Sequence, residues 1–309
     1  MSPRLESIGP YRLEGRIRAG LASEVFRAWD GRLGRWAAIK FISWDSTTKG
    51  ARERFRREAR AAARVSHPAI VQVYDLIELA DNDVDVVVTE LFEGRSLAEF
   101  LEEGPLNLST AVSFARQIAE VLVHVHQVGV IYRDLRPENI LVTREGRVKL
   151  TDFGLATLVE LGRDTGQLSL SISYSSPEQI LGQPLDVRSD LFLLGALLYE
   201  MLTGSSPFTS SSLVNRVRDV LNDRQVSVRK RVPQVPQELS DLVDHLLEKD
   251  PSRRPVSAEN VAKALKEISE TLLLPQLRVQ RRDGMGARLS SLARESIEAI
   301  ASLKARRKP

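Results

Sequence analysis

The chain of 309 residues carries a formal net charge of +3 at pH 7 and contains no cysteine, which excludes disulfide bonds, thiolate metal sites and cysteine nucleophiles. Its content of 42% hydrophobic and 28% charged residues is typical of a soluble globular protein. The N-terminus lacks the apolar core of a secretory signal, and the longest apolar run, Leu191–Leu202, is too short to cross a bilayer and predicts a buried helix. We therefore expect a cytoplasmic protein with no transmembrane segment.

Strand patterns dominate the first part of the chain. Short, partly alternating segments predict strands at residues 11–17, 23–30 and 36–42. The pattern changes to a helical period over residues 51–65, where apolar residues recur on one face from Phe55 to Val65. Strand character then returns at residues 66–79 and 83–94.

Helical patterns dominate from residue 96 onward. Helices are predicted at residues 96–103 and 109–129 and over most of the remainder to about residue 273, with two short strands at 138–143 and 147–153. A β-rich first part followed by a helix-rich second part predicts an α+β fold with two lobes.

The composition changes after Pro275. Residues 273–286 are basic, rich in turn formers and unpatterned, so we interpret them as a linker. Residues 287–309 predict one basic amphipathic helix. We favour a terminal helix that packs on the domain or frays over a dedicated membrane anchor.

Two charged residues in the first part form a candidate pair. Lys40 ends an apolar strand, and Glu58 lies in the following helix, on or beside its apolar face. Because an unpaired buried carboxylate is costly, Glu58 needs a cationic partner, and Lys40 is the natural choice. The alternative is a strand lysine that extends to the surface, which is common for an isolated lysine.

The segment YRDLRPENIL, residues 132–141, is a more specific motif. Asp134 is suited to accept a hydrogen bond from a substrate hydroxyl and take up its proton. Asn139 offers an amide oxygen to Mg²⁺, which prefers oxygen ligands, and Asp152 in the following TDFGLA segment offers a carboxylate. This set suits phosphoryl transfer, which depends on positioning and charge neutralisation more than on covalent chemistry.

With these motifs, the chain resembles the eukaryotic-type protein kinase family and is most similar to bacterial serine/threonine kinases. The other segments that carry the resemblance are SHPAIVQVYD, TELFEGRSL, SSPEQI, RSDLFLLGALLYEMLTGSSPF and LLEKDPSRRP. The resemblance implies a bilobal kinase domain at residues 11–272, with an N-lobe at 11–92 and a C-lobe at 93–272, after an N-terminal extension of residues 1–10. It also implies ATP-dependent phosphorylation of serine and threonine hydroxyls on protein substrates.

The resemblance assigns the catalytic roles. Lys40 would contact the α- and β-phosphates of ATP and pair with Glu58. Asp134 would act as the catalytic base, Arg136 would contact the γ-phosphate, and Asn139 would complete the catalytic set.

ATP and Mg²⁺ are the cofactors that the resemblance implies. Asn139 and Asp152 would hold the metal, Thr89 would guard the back of the adenine pocket, and the backbone of the hinge from Glu90 to Phe92 would bond adenine. The implied nucleotide-binding residues are Ile17, Gly20, Val25, Ala38, Lys40, Glu58, Thr89, Glu90, Phe92 and Asp152.

Two further roles implied by the resemblance are structural. Glu178 would form an ion pair with Arg254, and Asp190 would anchor the catalytic loop from the long buried helix. Their presence supports the fold and not the activity.

Two loops depart from the family pattern. The glycine-rich loop keeps only Gly20, and Arg18 and Ser23 occupy the outer glycine positions. In the catalytic loop, Tyr132 replaces the usual histidine, and Arg136 replaces the usual lysine with a wider, forked cation.

The activation segment departs most. Ser171 takes the place of the threonine that contacts the catalytic loop, and Gln167 falls where a phosphorylated threonine often lies. Thr165 and Ser169 are the candidate autophosphorylation sites. A phosphate there would pair with Arg133, which precedes the catalytic aspartate.

Three alternatives compete with an active protein kinase. A pseudokinase that acts as a nucleotide-binding or scaffolding module is motivated by Arg18, Arg136 and the activation segment, but Lys40, Asp134 and Asp152 are all retained. The SSPEQ and DPSRRP segments favour a protein substrate over a small molecule. Nucleic-acid binding would need aromatic residues interleaved with basic ones, a pattern that the sequence lacks. The expected partners are protein substrates and a second copy of the chain for autophosphorylation.

Overall fold

A computed structural model describes residues 7–19, 23–44, 49–79, 83–152, 172–210 and 212–272. The chain divides into two compact units, Met1–Leu265 and Lys266–Pro309, and of the second unit residues 266–272 are described and helical. Gly20, the activation segment from 153 to 171, the predicted linker and the predicted terminal helix lie outside the described residues. The domain boundary at residue 272 stays a prediction.

The first part of the chain forms a six-stranded antiparallel sheet in the order β1-β2-β3-β4-β6-β5. Its strands are β1 (Ser7–Ile8), β2 (Tyr11–Ala19), β3 (Ser23–Asp30), β4 (Arg35–Ser43), β5 (Val73–Leu79) and β6 (Val84–Glu90). Because side chains alternate along a strand, β4 and β6 bury Ala37, Ile39, Val86 and Val88 in one core on one face of the sheet. Lys40 therefore belongs to the other face.

Helix α1 (Lys49–Ala62) covers that other face of the sheet. Its buried Phe55 and Ala59 pack against Ile42 of β4 and Val87 of β6. The apolar residues that recur at helical spacing in the sequence are thus the ones that pack α1 against the sheet. The predicted helix is confirmed.

A buried ion cluster also joins α1 to the sheet. Asp85 of β6 is fully buried, and it accepts hydrogen bonds from Arg52 Nε (3.1 Å) and Arg56 Nη2 (2.7 Å). Burial would raise the pKa of the Asp85 carboxyl, but the hydrogen bonds from Arg56 and Arg52 outweigh it and lower that pKa below its usual value. Asp85 is therefore charged at neutral pH, and two turns of α1 are fixed to one carboxylate.

The strand predicted at residues 66–79 is shorter in the structure. Only Val73–Leu79 pairs with β6, while residues 66–72 turn towards the second part of the chain. In this turn the backbone of Val71 donates to the Leu150 carbonyl (2.8 Å), and the Leu150 amide donates to the Ala69 carbonyl (2.9 Å). Pro68, which has no amide hydrogen, also disfavours a ladder here.

The second part of the chain is mainly helical. Its α-helices are α2 (Leu97–Leu101), α3 (Leu108–Gln127), α4 (Pro177–Ile180), α5 (Val187–Thr203), α6 (Leu213–Leu221), α7 (Val228–Arg231), α8 (Gln237–Leu246) and α9 (258–272). A small sheet contains β7 (Arg95–Ser96), β8 (Ile140–Val142) and β9 (Val148–Leu150), and 3₁₀ turns occupy Pro137–Asn139 and Pro251–Arg253. The predicted α+β, two-lobed fold is confirmed.

Helix α5 is buried on nearly all sides, as the apolar run Leu191–Leu202 predicts. Gly195 allows α8 to approach closely, since a Cβ atom at that position would lie 2.6 Å from the Cβ atom of Leu246. Within the described ranges, no helix is both long and apolar enough to cross a membrane.

We expect the Asp85→Ala substitution to lower the free energy of unfolding by about 3–5 kcal/mol, because it removes the fully buried carboxylate that two partly buried arginines share and leaves them only the exposed Asp83 and Glu78. Asp83→Asn is the matched control, since it removes an exposed charge that contacts Arg52, tolerates the left-handed backbone at this position (φ of 48°), and should cost less than about 1 kcal/mol. Urea unfolding of both variants measures the difference.

The same contribution should depend on pH in a defined direction. Because the folded-state pKa of Asp85 lies below the unfolded value of about 3.9, the stabilisation is present above that pH and is lost as the pH falls through the folded-state pKa. Equal stabilities of the Asp85→Ala and Asp83→Asn variants at pH 7 would contradict the assignment.

Candidate active site

A cleft of about 190 Å³ lies where the six-stranded sheet meets the second part of the chain. Eight of the ten predicted nucleotide-binding residues line it: Ile17, Val25, Ala38, Lys40, Thr89, Glu90, Phe92 and Asp152. The two others are not described there, since Gly20 and the side chain of Glu58 lie outside the described part of the structure. The predicted Lys40–Glu58 pair therefore stays a prediction.

Lys40 and Asp152 meet across this cleft. The Nζ atom of Lys40, on β4, lies 2.9 Å from Oδ2 of Asp152, which follows β9. Both side chains are mostly buried, and Asp152 adopts a left-handed backbone conformation with φ of 58°. Non-glycine residues seldom adopt this conformation, and it is found disproportionately at functional sites.

Asp134 and Asn139 form a second pair beside the cleft. Both are buried, and Asn139 Nδ2 donates to Oδ2 (2.6 Å) and to the backbone carbonyl (3.0 Å) of Asp134. Since both partners are acceptors, the amide nitrogen of Asn139 must face Asp134, and the amide oxygen is left for another donor or a cation.

Asn139 is also tied to the segment that carries Asp152. The Thr151 amide donates to the Asn139 carbonyl (3.0 Å), so the side chains predicted to bind metal come from directly bonded segments. Across the described residues, this site included, no group of three or more histidine, aspartate or glutamate side chains is placed to hold a metal. One amide oxygen and one carboxylate suit Mg²⁺, which usually takes few protein ligands and completes its shell with water and phosphate oxygens.

Asp190, fully buried in the first turn of α5, holds the loop that precedes Asp134. Its Oδ2 accepts the Tyr132 amide (2.8 Å) and its Oδ1 accepts the Arg133 amide (2.7 Å). His126 Nε2 lies 2.8 Å from Oδ2 as well. The predicted anchoring of the catalytic loop by Asp190 is confirmed.

Tyr132, which stands in place of the family's usual histidine, is fully buried. Its hydroxyl donates to the carbonyl of Thr151, the residue before Asp152. Burial, and then the nearby carboxylates of Asp134 and Asp152, raise the pKa of Tyr132 well above its usual value. Tyr132 therefore remains a neutral hydrogen-bond donor and links the catalytic loop to the Asp152 segment.

Arg136 is held by its own loop. Its Nε donates to Glu138 Oε2 (2.9 Å), and its guanidinium lies 5.8 Å from the centre of the Tyr174 ring. Its predicted contact with a γ-phosphate stays a prediction.

The predicted pair of Glu178 and Arg254 is present. Arg254 Nη1 and Nη2 donate to the two carboxylate oxygens of Glu178 at 2.7 and 2.9 Å, and both side chains are buried. This bidentate contact joins α4 to the turn after the 3₁₀ helix Pro251–Arg253.

Several residues that line the cleft were not predicted: Val71, Val87, Gly94, Ser96, Glu99, Glu138, Leu141 and Thr151. Leu91, which also lines it, lies within the predicted hinge. For Leu141 a signal exists in the sequence. It lies between the buried Ile140 and Val142 of β8, and the two-residue period of a strand places it on the opposite face, towards the cleft.

Comparison with known proteins identifies the family. The protein kinase domain family model matches residues 11–265. Serine/threonine-protein kinase PrkC of Bacillus subtilis is 36% identical over 262 residues, which cover 84% of this chain and 40% of PrkC. Serine/threonine-protein kinase PknL of Mycobacterium tuberculosis is 36% identical over 275 residues, which cover 87% of this chain and 68% of PknL.

A third relative, serine/threonine-protein kinase pkn2 of Myxococcus xanthus, is 36% identical over 268 residues, or 83% of this chain and 32% of pkn2. The chain thus spans less than half the length of PrkC and pkn2, and about two thirds of PknL. It belongs to the protein kinase domain family, as the sequence motifs predict.

We expect Asp190→Asn to lower the free energy of unfolding by about 1–3 kcal/mol and to speed amide exchange at Tyr132 or Arg133, because one of the two amides loses its buried acceptor. Asp186→Asn, at the N-cap of the same helix, is the control, since asparagine caps as well as aspartate does. Hydrogen exchange with mass spectrometry gives the local readout. Unchanged exchange at both amides of the Asp190→Asn variant would contradict the anchoring role.

Proposed function

We propose that this chain is an ATP-dependent serine/threonine protein kinase. The observation that carries the proposal is the arrangement of two residue pairs around one cleft: Lys40 with Asp152, and Asp134 with Asn139. A cation, two carboxylates and an amide oxygen are the groups that phosphoryl transfer needs, and the bonded backbone of Thr151 and Asn139 brings them together.

The inner part of the cleft suits a purine base. Ala38 and Val25 from the six-stranded sheet and Leu141 from β8 offer apolar walls, and the hinge at Glu90–Phe92 offers backbone donors and acceptors at the edge. We infer that adenine lies between these walls, with the triphosphate extending towards Lys40. The ammonium group of Lys40 would then neutralise phosphate oxygens at close range.

Asn139 and Asp152 are the residues that we propose to hold Mg²⁺. Bound there, the metal would neutralise charge on the phosphate oxygens. The amide nitrogen of Asn139 already orients the Asp134 carboxylate, so metal binding through the amide oxygen would fix Asp134 from the same side chain.

Asp134 is the proposed base. In the reaction, the oxygen of a substrate hydroxyl forms a bond to the γ-phosphorus, and the bond from that phosphorus to the oxygen bridging to the β-phosphate breaks. The hydroxyl proton passes to the Asp134 carboxylate, and ADP leaves with the bridging oxygen. Arg136, which is held near the loop by Glu138, is the proposed contact for the transferred phosphoryl group.

The choice of serine and threonine hydroxyls on proteins is supported by the names of the relatives, all of which are serine/threonine-protein kinases. Pro137 and Glu138, which follow Arg136, support it by resemblance. Autophosphorylation through self-association stays a prediction of the sequence, because Thr165 and Ser169 lie outside the described residues. A cytoplasmic location also stays a prediction of the sequence.

We expect Lys40→Met and Asp134→Asn each to lose phosphoryl transfer, by about 10²–10⁴-fold for Asp134→Asn, while both variants keep near wild-type melting temperatures. Both residues serve the reaction, and Asp134→Asn preserves the volume of a buried side chain. The assay uses labelled ATP, Mg²⁺ and a generic basic protein, followed by identification of the phosphorylated amino acids. Transfer within a few-fold of wild type in either variant would contradict the catalytic assignment.

Two controls separate the kinase from a pseudokinase. Mg²⁺ and ATP should raise the melting temperature of the wild-type protein, since a ligand that binds the folded state stabilises it, and Asp152→Asn should reduce that shift. Nucleotide binding without transfer to any acceptor would favour the pseudokinase.

A further inference from the structure

Lys149 occupies a position beside the nucleotide cleft that neither the sequence motifs nor the proposed reaction uses. It lies on β9 between the buried Val148 and Leu150, and its cross-strand partner is Leu141 of β8. Since directly paired residues lie on the same face of a sheet, Lys149 and the cleft-lining Leu141 share one face of this rigid strand pair.

The ammonium group of Lys149 contacts the hinge. Its Nζ lies 2.5 Å from Oε1 of Glu90 and 5.9 Å from the centre of the Phe92 ring. The Lys149 and Glu90 side chains are 19% and 29% exposed, so water and salt weaken this ion pair less than they weaken an exposed one. One amine thus contacts both end residues of the three-residue hinge.

Glu90 is held from a second side. Its other carboxylate oxygen accepts the Gln72 amide (3.4 Å), and its own amide donates to the Gln72 carbonyl (2.8 Å). The neighbouring Val71 is bonded in turn to Leu150 of β9. The hinge, the 69–72 turn and β9 therefore form a closed ring of contacts, and the Lys149–Glu90 pair is the charged link in it.

The backbone two residues after the hinge, at Gly94, lies directly against β8 and against the Phe92 ring of the hinge. A Cβ atom at Gly94 would lie 2.5 Å from the Val142 carbonyl oxygen and 2.3 Å from Cε1 of Phe92, so the backbone there is in close contact with both. A segment packed this closely transmits a displacement of β9 or of Glu90 to the backbone groups that face the cleft.

We propose that Lys149 is a positioning residue for purine recognition: by fixing the Glu90 carboxylate, it fixes the hinge backbone against which the adenine ring binds. The inference rests on the proposed function, because it assumes that the cleft takes ATP. It adds a residue on β9, in the second part of the chain, that controls which base the hinge accepts.

Base selectivity is the property that this role affects. Adenine presents a donor amino group beside an acceptor nitrogen, whereas guanine presents an acceptor oxygen beside a donor nitrogen, so a fixed hinge carbonyl and amide favour adenine and oppose guanine. Loss of the Lys149 contact leaves the Glu90 carboxylate without its cation and lets the hinge shift. A hinge that shifts binds ATP more weakly and also discriminates less well against GTP.

The test is isothermal titration of the full chain with ATP and with GTP, each with Mg²⁺, for wild type, Lys149→Met and Lys149→Arg. Lys149→Met should bind ATP about tenfold more weakly, the factor for one charge-assisted hydrogen bond, with a smaller ratio of ATP to GTP affinity. Lys149→Arg keeps the cation and should recover most of the ATP affinity and most of the ratio of ATP to GTP affinity. Arg147→Met, which removes an exposed cation next to β9, is the matched control and should bind as wild type does.

A second readout needs no nucleotide. Amide exchange at residues 90–92 should be faster in Lys149→Met than in wild type. A double-mutant cycle with Glu90→Gln and Lys149→Met should show coupling between the two side chains in the free energy of unfolding. Wild-type ATP affinity and wild-type selectivity in Lys149→Met, or unchanged exchange at the hinge, would overturn the role of Lys149 and leave the proposed function standing. A wild-type protein that binds no ATP would overturn the proposed function and this role together.

Discussion

The geometry of the candidate active site depends on one buried carboxylate. Asp190 has no exposed surface, and it accepts the consecutive amides of Tyr132 and Arg133 while it contacts His126. A carboxylate in the first turn of a helix is further stabilised by the helix dipole, so α5 supplies both the rigid base and a favourable field. Arg133, with φ of 70°, is thereby held in a strained conformation immediately before Asp134.

Charge holds this part of the molecule together in two different ways. Within the first part of the chain, the buried Asp85 fixes α1 to the six-stranded sheet through Arg52 and Arg56, and none of these three residues lines the cleft. Lys40 and Asp152, by contrast, neutralise each other across the cleft, and each is the natural partner of something that a nucleotide brings. A triphosphate would attract Lys40 and a cation would attract Asp152, so binding exchanges one ion pair for two.

Local signals in the sequence predicted most of the fold and much of the site. Alternation, helical spacing and a long apolar run identified β4, α1 and α5, respectively. The motif at residues 132–141 identified Asp134 and Asn139 separately, and the structure shows that they are hydrogen-bonded at 2.6 Å. The contact of Lys149 with Glu90 was not predictable in this way, since it joins residues 59 positions apart and follows from how β9 packs on the hinge. The late start of the strand predicted at residues 66–79 has the same cause, since the backbone of residues 69–71 bonds to Leu150 of β9 and not to β6.

The most direct test of this account is a crystal structure with Mg²⁺ and a non-hydrolysable ATP analogue. We expect adenine between Ala38 and Leu141 with its edge on the hinge at residues 90–92. We also expect phosphate oxygens at Lys40 and a metal bound by the amide oxygen of Asn139 and the carboxylate of Asp152. A nucleotide bound elsewhere, or bound phosphates and metal that contact none of Lys40, Asn139 and Asp152, would contradict this assignment of the site.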